Sequence, residues 1–246
     1  MKTYIINLKT SIERKQYIEQ LLSPYQDFMN VHFVEAVDGR GLSEKQLSEI
    51  WNQKETYKTY GRYMKGGEIG CALSHRKCYE EILKNGDDVA LILEDDVKFQ
   101  DVDVRSKVLS VEKFVRTNRP VVVLLSGDYW FTLIRQIDNN ICLANIREAM
   151  GAIAYVVNQS AAKILLSADK EFLADDWYNL KKGGLALYAL HPHFVDTTDL
   201  GTEISVDGYA GTIRKNLSLF RKCHSYYRAV IRRILGEFGN FERRIS

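Results

Sequence analysis

Short apolar runs alternate along the chain with segments whose apolar residues recur every three or four positions. The runs Tyr4–Leu8, Val31–Val34, Val89–Leu93, Pro120–Leu125 and Ala152–Val157 predict buried strands. Spacing of Ile12, Ile18, Leu21 and Leu22 predicts a helix over Ser11–Leu22 with Ser11 as its cap. Ser43 and Gln46 have capping-box spacing and open another helix. Further helices are predicted over Glu68–Lys84, stopped by Asn85-Gly86, over Val104–Val115 and over Ser160–Leu166. Polar, tyrosine-rich Lys54–Lys65 predicts a loop, and Asp38-Gly39 a turn.

Strands and helices therefore alternate from residue 4 to about 166. This predicts an α/β fold with a mainly parallel central sheet covered by helices. None of the three prolines marks a linker. The expected organisation is one domain over 1–211 and a tail over 212–246.

Composition alters this picture only at the tail. The 46% hydrophobic and 27% charged content is that of an ordinary globular chain. The net charge of +2, however, conceals nine basic residues against two acidic ones after Gly211. On a helical wheel Phe220, Cys223, Tyr227, Val230, Ile231, Ile234, Leu235 and Phe238 share one side, with Arg221, Lys222, Arg228, Arg232 and Arg233 opposite. A basic amphipathic helix of this kind predicts docking on an anionic membrane surface. Nucleic acid is not expected, since no recognised binding motif accompanies the charge. No stretch of about 18 apolar residues predicts a membrane span. The opening MKTYIINLKT lacks a leader pattern, and the four cysteines form no CxxC pair, which together lead us to expect a cytoplasmic protein without a zinc site.

The chemistry concentrates where the run Ala90–Leu93 ends in Glu94, Asp95 and Asp96. Ionised carboxylates beside a core are costly unless a positive charge accompanies them. Ligands of open α/β sheets bind beyond the carboxyl ends of strands, and oxygen donors there suit Mn2+ or Mg2+. Strand alternation would point Glu94 and Asp96 one way, toward the metal, and Asp95 the other, toward a sugar or a neighbouring backbone. A nucleotidyltransferase, a phosphohydrolase or a non-catalytic binding module would use the same acids. Absence of a glycine-rich P-loop pattern counts against NTPase chemistry.

The segments GGEIGCALSHRKCYEEIL and ALILEDDV, in that order, resemble glycosyltransferase family 25, the lipooligosaccharide galactosyltransferase-like family. YIINLKTSIERK, FVEAVDGR and GAIAYVVNQSAAKILL extend the resemblance from Tyr4 to about Ser205. It implies a GT-A-like nucleotide-sugar fold, a divalent cation on the acidic motif, and inverting transfer of a hexose, commonly galactose from UDP-galactose. The implied acceptor is a lipid-linked saccharide, or collagen hydroxylysine in other members. With no leader pattern, the bacterial kind is expected, peripheral on the inner face of the inner membrane.

Roles follow from that reading. Asp176, in FLADDWYNL, is the expected base for the acceptor hydroxyl, with Asp175 in reserve and helix capping as the competing role for either. Trp177 and Tyr178 offer a sugar-stacking surface. Asn7, Leu8, Arg14, Asp38, Gly39, His75, Arg76 and Asp95 are the expected donor contacts. Glu94 and Asp96 are the expected metal ligands, with His193 of ALHPHFVD as a third. The stretch around Asp196–Asp199 departs from the family's pattern.

Overall fold

The computed structural model describes residues 1–100, 103–198 and 216–244. Ser205, Asp199 and the expected boundary at 211/212 lie outside the described residues. In chain order the elements are β1 (Lys2–Asn7), α1 (Ile12–Leu22), β2 (Asn30–Glu35), α2 (Glu44–Ile50), α3 (Gln53–Tyr60), α4 (Gly66–Asn85), β3 (Val89–Glu94), β4 (Val97–Phe99) and α5 (Val104–Val115). They continue with β5 (Val121–Leu124), β6 (Tyr129–Asp138), β7 (Ile141–Ala149), β8 (Ala154–Asn158), α6 (Gln159–Ser167), α7 (Trp177–Leu180), β9 (Ala186–His191), β10 (Val195–Thr197), a helix we call α8 (Leu219–Glu237) and β11 (Phe241–Glu242).

Among the described residues a nine-stranded sheet runs β11-β6-β7-β9-β5-β8-β3-β1-β2, with β10 and β4 paired beside it. Its α/β character matches the periodicity. The sheet is mixed: β1 is parallel to β2 and β3, and β5 to β9, while β8 runs antiparallel to both β3 and β5. The β6–β7 hairpin, with its left-handed Asn140, extends the sheet antiparallel. β6 is exposed along much of its length, so it carries little of the alternation that reveals a strand.

Alternate residues feed two cores. Tyr4, Ile6, Ala90 and Ile92 face α4 and α6, whereas Ile5, Leu91 and Leu93 face α1 and α5. The boundary of α5 falls where its periodicity puts it, and Gly86, with φ 70°, ends α4 in the left-handed region that Asn85-Gly86 signals. The loop expected over Lys54–Lys65 contains α3 instead. Asn52 caps it by accepting from the Lys54 and Glu55 N–H groups, and Trp51 and Thr56 anchor it through a buried 2.7 Å hydrogen bond. Capping and two buried residues thus hold a helix whose outer surface is almost entirely polar.

The glycines of GGEIG set the approach of α4. A side chain at Gly66 or Gly39 would overlap the other's carbonyl, and one at Gly70 would overlap the Val37 carbonyl. The Val37 N–H also donates to Ser74 Oγ at 2.8 Å. The first turns of α4 therefore lie directly on the segment that follows β2.

The tail returns to the body. β11 pairs with β6, and α8 rests on it through Arg228 and Arg232, both bound to the buried Glu148 carboxylate. Arg228 stacks on Tyr178 at 4.1 Å and Arg232 on Trp130 at 5.4 Å. Part of the basic side of the helix, Arg228 and Arg232, is therefore docked on the body. The apolar positions Phe220, Tyr227, Val230, Ile234 and Phe238 are exposed, joined by Leu219 and Tyr226.

Candidate active site

The carboxyl ends of β1, β2 and β3 lie side by side because the three strands are parallel, with Asn7 level with Glu35 and Ile6 level with Glu94. The segments leaving them line a cavity of about 300 Å³ with the adjoining face of α4. Leu8, Arg14, Asp38, Gly39, His75, Glu94, Asp95 and Asp96 all line it, as do Arg40, Cys71 and Ser74.

The acidic tip does not continue the strand. β3 stops at Glu94, and Asp95-Asp96 form the turn into β4. Strict alternation therefore fails, and both aspartates reach Arg14, at 2.9 Å from Asp95 and 3.4 Å from Asp96. Asp95 also accepts from Asn7 Nδ2 at 2.7 Å, so it is fixed in place. Glu94, still in strand register, meets His75 Nε2 at 3.3 Å. The other ring nitrogen of His75 is held by Tyr155 Oη at 2.7 Å, and the ring is fully buried.

Among the described residues, one arginine thus pairs with two of the three carboxylates, and Glu94 has only His75. Asp96 pays most for this: it is buried, and among the described residues its Oδ1 has no hydrogen-bond partner. Burial first, and the Glu94 charge second, push its carboxyl up from 3.8 to about 6. Burial also raises Asp95, opposed by Asn7 and Arg14. At the rim Asp38 binds Arg40 through both oxygens, which lowers its carboxyl.

This donor set fits a hard divalent cation. Asp96 has a buried, orphaned oxygen, Glu94 is bound only weakly, and the local charge is negative. Ligand atoms of Cys71, His75 and Glu94 also lie within 4.8 Å of one another. Burial drives the Cys71 thiol well above its ordinary range, so it is a poor thiolate donor at neutral pH. Cys71 was not among the expected site residues; its spacing of four from His75 on one helix was the available signal.

The two aspartates before α7 part company. Asp176 caps α7 through the Asn179 N–H and also accepts from Tyr60 Oη at 2.6 Å and Asn179 Nδ2 at 2.7 Å. Asp175 accepts from the Gly151 N–H at 3.0 Å, and its carboxyl is raised by burial first, then by Asp176 and Glu94. Asp175 adds to the negative field felt by the Cys71 thiol, but it is not among the residues lining the cavity.

Four expected contacts are not brought to this site. Arg76 donates to the carbonyls of Leu165, Leu166 and Ala168, where it closes the end of α6. Trp177 is completely buried, with its indole N–H on the Gly151 carbonyl, and presents no face to a sugar. His193 sits between Glu242, at 2.6 Å, and Asp196, at 3.5 Å, outside the cavity lining. Tyr178 faces α8, bound to His224 at 2.9 Å.

A family profile described as glycosyltransferase family 25 (LPS biosynthesis protein) matches residues 1–178. The chain belongs to glycosyltransferase family 25. The mouse (Mus musculus) procollagen galactosyltransferase 2 is 35% identical over 103 residues, 39% of this chain. A glycosyltransferase 25 family member of Aedes aegypti is 34% identical over 103 residues. A rat (Rattus norvegicus) relative, 30% identical over 105 residues, is named a probable inactive family member. This chain spans only 16% of the mouse and mosquito proteins and 18% of the rat one. Among solved structures, A197 from STIV is similar with a TM-score of 0.40 at 12% identity, covering 84% of this chain and 98% of that one.

Asp96 binds its proton more tightly in the folded protein than in the unfolded chain. Stability therefore falls as pH rises from about 4 to about 6 and stays lowered above that. In chelator at pH 7.5, Asp96→Asn should raise the unfolding free energy by about 1–3 kcal/mol, a gain that disappears near pH 4. Urea denaturation at both pH values checks this; unchanged or lowered stability at pH 7.5 would contradict it.

Proposed function

We propose that the chain is a metal-dependent, inverting glycosyltransferase that moves a hexose from a nucleotide-sugar donor to a lipid-linked saccharide. The observation that carries this is the orphaned Asp96 oxygen within a three-carboxylate tip at the end of β3. The name of the mouse relative supports galactose, hence UDP-galactose as donor, and the family's description supports an acceptor of the lipopolysaccharide kind.

Glu94 and Asp96 would hold Mn2+ or Mg2+, which when bound supplies the positive charge a departing diphosphate requires. Asn7 and Arg14 hold Asp95 rigid, ready to orient the donor. The segment following β2, pressed onto α4 by the glycine contacts, frames the nucleoside side with Asp38 at its rim. Tyr155 fixes the His75 ring so that Nε2 faces Glu94.

The acceptor base in this reading is Asp175. Among the described residues the polar contacts of Asp176 serve α7 and Tyr60, whereas the Asp175 carboxyl, raised by burial first and then by Asp176 and Glu94, is suited to taking a proton. Asp175 takes the acceptor's hydroxyl proton as the new oxygen–carbon bond forms and the bond to the diphosphate breaks.

No helix among the described residues is long and apolar enough to cross a membrane. The outward apolar stripe of α8, flanked by Lys222 and Arg233, suits peripheral attachment to an anionic leaflet, here assigned to the cytoplasmic face.

Asp175→Asn should lower turnover about 10²–10⁴-fold while leaving UDP affinity within twofold. Asp176→Asn, which keeps a capping oxygen, should cost less than tenfold. Steady-state transfer from UDP-galactose to truncated lipooligosaccharide reads both, and the reverse ranking would return the base role to Asp176. Phosphatidylglycerol vesicles should sediment the full chain, and Val230→Asp with Ile234→Asp should cut the bound fraction at least about fivefold at unchanged melting temperature. Equal sedimentation of that variant, or none of the wild type, would refute membrane attachment by this stripe.

A further inference from the structure

A second groove, of about 390 Å³, lies where α3, α7 and α8 meet, separate from the cavity at the acidic tip. Tyr60, Asn179, Lys182, Arg221, His224 and Arg228 line it. Its charge is lopsided. Lys182 Nζ is bound at 2.6 Å to the neutral Asn179 side chain, and Arg221 Nη1 at 3.2 Å to the Thr59 carbonyl. Arg228 shares the single carboxylate of Glu148 with Arg232, so two guanidinium charges meet one negative charge. Arg147 adds a further cation near the Tyr178 ring.

The ring of His224 registers this imbalance. Burial, then Lys182, Arg228 and Arg221, hold its pKa below the ordinary value, with Glu148 opposing. Four cationic or protonatable side chains thus converge on one recess; of the acids beside it, Glu148 already serves two arginines and Asp176 is engaged by Tyr60 and Asn179. Such a field draws an anion, and guanidinium and ammonium donors match phosphate or carboxylate oxygens.

The groove also has a defined neighbour. Tyr60 and Asn179, which line it, are the two side chains that hydrogen-bond Asp176 Oδ2, and Asp175 is the next residue. The groove thus lies one residue along the chain from Asp175, whose own side chain turns to the Gly151 N–H. We propose that this groove binds an anionic substituent, phosphate or carboxylate, of the acceptor saccharide and so anchors the acceptor beside Asp175. This rests on the glycosyltransferase reading for the identity of the ligand, though not for the binding itself.

The test uses the full chain in chelator, without donor, and follows the His224 ring by NMR, assigned with His224→Asn. Glucosamine 6-phosphate should shift the ring resonance and raise its pKa saturably, whereas glucosamine should not. Lys182→Gln with Arg221→Gln should weaken that binding at least tenfold; both replaced side chains hydrogen-bond neutral groups, so the fold should persist. Phosphatidylglycerol vesicles form a separate arm. A response to vesicles alone would make the groove a lipid-headgroup site and overturn the proposal. So would no response to the sugar phosphate, or equal binding by the double variant. Because neither donor nor metal is present, a negative result here beside intact transfer leaves the enzymatic reading standing, and saturable binding without transfer does the opposite.

Discussion

The site depends on one electrostatic imbalance: three carboxylates at the end of a buried strand, two of them paired, among the described residues, with the same arginine. Arg14 reaches Asp95 and Asp96, Asn7 adds a neutral donor to Asp95, and among the described residues one oxygen of Asp96 accepts no hydrogen bond. A carboxyl whose midpoint moves from 3.8 to about 6 stores about 3 kcal/mol in a structure of marginal stability. Such an arrangement is compatible with a positive charge brought by a ligand.

The rest of the fold serves that arrangement. Parallel pairing of β1 with β2 and β3 brings three strand ends to one edge, and antiparallel β8 closes the other side of β3. Glycines 39, 66 and 70 let α4 descend onto the segment after β2, which places His75 over Glu94. Leu91 and Leu93 hold the strand from below, and Ala90 and Ile92 from above, so that the tip has little freedom to relax away from its neighbours.

Much of this is legible in the amino-acid pattern. The acids announce themselves because polar residues directly after an apolar run mark a strand end, and the periodicities of α4 and α5 are strong. Less legible are features decided by tertiary contact. Alternation misplaces Asp96 because the chain turns at residue 95, a backbone choice made by pairing with β10 rather than by local pattern. Arg76 and Trp177 stand beside motif residues in sequence, yet the helical turn and the core carry them away from the cavity. His193 meets a carboxylate far along the chain, at Glu242, which no local spacing foretells. In α8 the wheel separates apolar from basic residues correctly, but buried Glu148 captures two arginines and turns the apolar side outward.

The central claim, that the tip after Leu93 grips a cation which in turn holds a nucleotide diphosphate, is tested most directly by calorimetric titration of UDP into the protein with and without Mn2+. The account predicts binding that strengthens at least tenfold with Mn2+ and loses that gain in Asp96→Ala. Equal UDP affinity in chelator and in Mn2+, unchanged by Asp96→Ala, would contradict it.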